Sequence, residues 1–133
     1  MTGADDLQTL LASLQPSLRE EPVVYAAVRH GFDPAGALAA VWEEEGLTVV
    51  MLQDDADDAG IGYEFVGAWI TLTVHSELDS VGLTAAVASV LTARGIPCNM
   101  LAGFWHDHLV VPWDRREEAL AALGALQSRH ERE

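Results

Sequence analysis

Leu7, Leu10, Leu11 and Leu14 recur at spacings of three and four, which predicts a helix with one apolar face. Asp5 and Asp6 stand ahead of it, where the positive end of a helix favours carboxylates, and Pro16 stops it. After Pro22 the run Val23 to Val28 is β-branched and aromatic and is bounded by the turn-like Gly31-Phe32-Asp33-Pro34, so it reads as a strand. Leu38 to Trp42 fits a short helix or a strand equally. Gly46 ends it, and Leu47 to Leu52 is a continuous apolar run of the buried-strand type.

In the second half, Trp69 to His75 alternates, sending Ile70, Leu72 and Val74 to one face and Trp69, Thr71, Thr73 and His75 to the other. Ser80 is placed to cap a helix running to Arg94, with Leu83, Val87, Val90 and Leu91 as its stripe and Gly95 as its left-handed stop. Cys98 to Trp105 and Leu109 to Pro112 read as two strands joined at His106-Asp107-His108. A last helix runs from about Arg115 to Ser128, with Ala119, Leu120, Leu123 and Leu126 inward, and the tail Arg129 to Glu133 is expected to fray. Strand, helix, strand, strand, helix is most of a split βαβ unit, with helices on one face of an antiparallel sheet, so the fold class is α+β. The other sheet face, carrying Trp69 and His75, then needs a cover, from the N-terminal half or from a second subunit in a dimer.

Composition narrows the function. All seven basic residues are arginines, so Schiff-base, pyridoxal and P-loop chemistry, each needing a lysine amine, are excluded. A net charge of −14 repels phosphates and argues against nucleic acid as partner. A single cysteine, Cys98, removes internal disulfides, zinc fingers and dithiol redox motifs, and fits a reducing cytoplasm. The first residues lack the pattern of a signal peptide, and nowhere do about 18 apolar residues run together to span a bilayer. With half of its 133 residues hydrophobic, the chain is long enough to fold alone.

Two clusters carry possible chemistry. Asp54, Asp55, Asp57 and Asp58 offer hard oxygen ligands, but their order lacks the alternation, central glycine and closing glutamate of a calcium loop, so they read as a solvated short helix or turn. His75, His106 and His108 could hold a metal, with Asp107 or Glu77 as a base, which defines an alternative reading as a metal-dependent enzyme. Cys98 beside Pro97 reads as a small buried hydrophobe rather than a nucleophile, and the four tryptophans as core or interface residues. A purely structural docking module is the third reading.

Four strings resemble the small bacterial ACT-domain proteins: Glu43 to Thr48, Val74-His75-Ser76, Val81 to Ala86, and Asn99 to His108 ending in His-Asp-His. That family is similar in fold to the CASTOR group of cytosolic amino-acid sensors. The resemblance implies two ferredoxin-like ACT units of βαββαβ type, residues 1–66 forming a degenerate one and 67–133 a fuller one, without a visible internal repeat: Gly-Leu-Thr recurs at Gly46 and Gly82, but begins a strand once and a helix once. It further implies a non-enzymatic regulatory sensor that needs no cofactor, acts as a homodimer, and binds a small effector, commonly an amino acid, at a junction between units. The ligand-binding residues so implied are Ser76, Asp79, Ser80, Val81, Gly82 and Leu83, with Asn99 and Met100. The physics of the first group agrees, because a strand-to-helix loop presents free N–H groups to a carboxylate and glycine permits close approach. Asp79, Glu77 or Asp107 would then receive an ammonium group. Plain helix capping explains the same loop without a ligand.

Overall fold

A computed structural model describes residues 3–131, with side chains from Asp6 onward. Helix α1 (Gly3–Ala12) takes Asp5 and Asp6 into its first turns instead of following them. It is followed by a strand the periodicity did not reveal, β1 (Pro16–Leu18), too short to show alternation. The turn between them puts Gln15 at φ +44°, unusual for a residue with a side chain. That turn is held from both sides, since Gln15 N–H donates to Gln127 Oε1 at 2.8 Å and Thr73 Oγ1 donates to Gln15 O at 2.7 Å.

Next come β2 (Val23–Val28), β3 (Ala39–Trp42), β4 (Leu47–Leu52), the short α2 (Gln53–Asp58) built on the aspartate cluster, and β5 (Val66–Leu72). Helix α3 (Leu83–Thr92), strands β6 (Asn99–Ala102) and β7 (Asp107–Pro112), and α4 (Arg116–Glu131) complete the chain. The segment Leu38 to Trp42 thus resolves as strand. α4 extends past Ser128, with residues 129–131 helical and the His130 ring bonded to Leu126 O at 2.9 Å, while Arg132 and Glu133 lie outside the described residues.

The strands form one antiparallel sheet in the order β3-β4-β2-β5-β7-β6, with β1 paired to β5 ahead of β2. β1 and β2 run along the same side of β5, since Leu18 faces Ile70 and Val23 faces Gly67. Four residues on one chain therefore oppose two on the other, a bulge that carries the N-terminal half onto the C-terminal half. Helices α1, α3 and α4 cover one sheet face, where Leu11 and Leu14 join Ile70, Leu72, Leu83, Val87, Leu91, Leu109 and Leu123. On the same face, β2 and β4 bury Val24, Val49 and Met51 against Ala56 of α2. Residues from both halves line the opposite face, and Val23, Val50, Trp69 and Val110 bury one another there. Trp69 is thus covered within the chain.

Candidate functional site

The loop between β5 and α3 leaves the sheet after Leu72, so His75 is not on the strand that alternation assigns to it. Val74 turns into the helix-side core and the chain then folds over the β6–β7 hairpin. His75 Nδ1 lies 2.9 Å from Trp105 O, and Ser76, almost buried, donates its hydroxyl to Asp107 Oδ2 at 3.0 Å. The loop is thus fastened to the hairpin at two points. Glu77 to Ser80 forms a turn closed by Ser80 N–H on Glu77 O, and Glu77 Oε1 lies 3.8 Å from His75 Nε2.

Beside this turn is an open cavity of about 420 Å³ lined by His75, Glu77, Leu78, Asp79 and Phe104. Leu78 and Phe104 are both 66% exposed, and Phe104 is propped edge-on by Trp105 at a ring separation of 5.1 Å. An exposed leucine and phenylalanine in one lining with two carboxylates make a surface that offers both an apolar contact and a cation acceptor.

Several expected roles change. Ser80 does not cap α3: the N-cap is Gly82, at φ +102°, with no side-chain bond to the helix. Gly82 is not open to a ligand either, because a Cβ there would stand 2.9 Å from Leu7 Cδ2 of α1. Leu83 is buried in the helix-side core. Val81 is the most exposed of the large apolar side chains, but neither it nor Ser80 lines the loop cavity. Asn99 and Met100 lie on β6, where Met100 packs partly on the core and borders a different cavity, and Asn99 lines neither of the two. Asp107 is occupied by Ser76, leaving Glu77 and Asp79 on the rim. Phe104 and Leu78 were not singled out from the sequence, although a Phe-Trp pair at a hairpin tip is the kind of signal that marks an exposed aromatic.

The histidines do not converge. The tight turn is Gly103 to His106, closed by Gly103 N–H on His106 O, so Asp107 and His108 belong to β7. His108 Nδ1 is bonded to Thr71 Oγ1 at 2.9 Å on the helix-free face, whereas Asp107, its neighbour in the strand, meets Ser76. His106 Nδ1 is buried without a partner. Among the described residues no group of three His, Cys, Asp or Glu side chains could hold a metal ion, so the donor set of the metal-enzyme reading is not assembled. Burial pushes the Cys98 thiol above its ordinary pKa, which suits a packed hydrophobe rather than a nucleophile. Of the tryptophans, Trp69 is buried, whereas Trp42 and Trp105 are exposed rather than core.

Residues 2–68 match one ACT domain model and residues 64–125 another. Among solved structures, a protein of unknown function from Vibrio cholerae, described as a possible transport protein, is 38% identical, with 95% of this chain and 99% of that one covered and a TM-score of 0.82. A protein from Agrobacterium tumefaciens shares the fold at 20% identity, covering 84% and 87%, with a TM-score of 0.65. So does the ligand-free regulatory subunit of aspartate kinase from Thermus thermophilus, at 11% identity, 86% and 97% coverage and a TM-score of 0.63. Comparison with curated proteins returned no match. The chain belongs to the ACT-domain family, with two ACT domains in tandem. That membership supports a regulatory, ligand-binding role. No helix among the described residues is long and apolar enough to cross a membrane.

Proposed function

We propose that this chain is a non-catalytic regulatory sensor that binds an amino acid in the cavity beside the β5–α3 loop. The observation that carries the reading is the rim itself, which Glu77 and Asp79 share with Leu78 and Phe104. Two carboxylates receive an ammonium group, and the apolar pair receives a side chain. The cavity is open to solvent, and Leu78 and Phe104 in its lining are exposed, so the reading includes a homodimer in which a second copy closes the site. It also includes a cytoplasmic setting, for which the single, half-buried cysteine is the support, and a sensing role like that of the CASTOR group. The division of the chain near Val66 is proposed as one between sequence units, with α1 packed in the core of the second unit.

A thermal-shift panel of the common amino acids tests this. A ligand at about 100 times its dissociation constant adds roughly 2.7 kcal/mol to the folded state, a rise of several degrees in Tm. One amino acid should raise Tm selectively, and Glu77→Gln with Asp79→Asn should abolish the rise while leaving the unliganded Tm near wild type. A panel without any shift contradicts the reading.

A further inference from the structure

The helix-free face is concave, and the two end strands of the sheet come together across it. One open cavity of about 510 Å³ is lined by Ala39 and Val41 of β3 on one side and Leu101 and Ala102 of β6 on the other, with Trp69 and His108 on its floor. That is within the range of small-molecule sites, roughly 300 to 1,000 Å³. No lining residue is acidic, although 21 of the chain's 133 residues are. The His108 ring, half-buried, leans on the buried Trp69, their ring centres 5.0 Å apart and tilted by 33°, so that His108 with an edge of Trp69 forms the aromatic part of the floor.

One polar atom is aimed by a relay. Trp69 Nε1–H donates to Thr71 Oγ1 at 3.2 Å, occupying one lone pair of that hydroxyl, and the hydroxyl lies 2.9 Å from His108 Nδ1. That leaves the Thr71 proton available to Nδ1, and a neutral His108 accepting it there carries its own proton on Nε2. Burial, with His106 nearby, holds this imidazole below its ordinary pKa against the opposing pull of Asp107, so it is neutral near pH 7. The Nε2 edge faces Gly103, also in the cavity wall, where a Cβ would lie 3.3 Å from Nε2 and fill the space.

We propose that this concave face is a second ligand site, separate from the loop cavity, for an uncharged, largely aromatic small molecule with one hydrogen-bond acceptor. The ring packs on His108 and the exposed edge of Trp69, the acceptor takes the Nε2–H of His108, and the aliphatic edges of β3 and β6 close on its flanks. With no carboxylate in the lining, an uncharged guest covers the cavity without desolvating a charged group.

The test uses two uncharged fluorescent probes, the naphthyl ketone prodan, which has a carbonyl acceptor, and N-phenylnaphthylamine, which has none. Saturable, blue-shifted prodan emission at one probe per chain is expected. Ala39→Trp should remove it by filling the cavity, and Val41→Trp, at a half-exposed edge position, does the same where Ala39→Trp fails to fold by circular dichroism. His108→Phe should weaken prodan about fivefold, the value of one net hydrogen bond, and leave the amine's affinity unchanged. Glu77→Gln and Leu78→Asp should leave both probes bound, and so does saturation with any amino acid that occupies the loop. Absence of saturable emission, wild-type affinity in both tryptophan variants, equal effects of His108→Phe on the two probes, or loss of binding in the loop variants would each overturn the proposal. None of these results depends on whether the loop binds an amino acid.

Discussion

A methyl group added at Gly82 would meet Leu7 at 2.9 Å, and its backbone, at φ +102°, is one that residues with a Cβ rarely adopt. Gly82 is therefore spent on starting α3 beneath α1. Gly82→Ala should lower stability by more than about 1 kcal/mol in a denaturant titration, and Leu7→Ala in the same chain should recover only the part due to the contact. An unchanged midpoint for the single variant would contradict this. His108 gives a second residue-scale prediction. Its pKa is lowered in the folded protein, mainly by burial, so between that lowered value and the unfolded value of about 6.5 the unfolded chain binds more protons. The stability it contributes is present above pH 6.5 and is lost as pH falls through that window. Replacing it by phenylalanine should flatten the fall in Tm as pH drops below about 6.5 relative to wild type, and parallel profiles would refute the assignment.

At the scale of elements, α1 and β1 belong in space to the second half of the chain. Leu14 is fully buried against residues of β5, α3 and α4, and β1 pairs with the far end of β5. Leu14→Ala should thus cost about 2 to 5 kcal/mol, and a fragment of residues 67–133 should lack cooperative unfolding by circular dichroism until α1 and β1 are restored. A sharp transition in the isolated fragment would count against this. The strands and helices with strong periodicity were legible: β2, β4, α4 and the body of α3 lie where the apolar spacing puts them. The failures have local causes. β1 has three residues and takes its register from β5. β5 ends at Leu72 because the next residues turn over the hairpin to bond His75 and Ser76 there, and alternation in the sequence continues past the last sheet bond. Asp107 and His108 look like turn residues but sit in β7, since the glycine at 103, whose Cβ would press on His106 O at 2.7 Å, makes the turn earlier.

Across the whole molecule, two cavities differ in chemistry. The loop end of the second ACT domain gathers Glu77 and Asp79 with exposed apolar groups, whereas the cavity between β3 and β6 has no carboxylate in its lining. The loop was visible in the sequence as a strand-to-helix junction, but its lining was not, because Phe104 reaches it from a hairpin more than twenty positions away. Gly82 and Leu83, adjacent in sequence to the junction, are instead consumed by packing on α1 and the core. Dimerisation belongs to this scale too: if a second copy closes the loop site, Phe104→Asp should shift sedimentation toward monomer and weaken the amino acid together with it, and an unchanged sedimentation coefficient would separate the site from any dimer. The most direct test of the loop as the sensor site is a titration of isotope-labelled protein with the amino acid that raises Tm most, followed by amide chemical shifts. Saturable shifts concentrated at residues 75–79 and at Phe104 are predicted. Shifts confined to Trp69, Leu101 and their neighbours on the concave face, or none at saturation, would contradict the account.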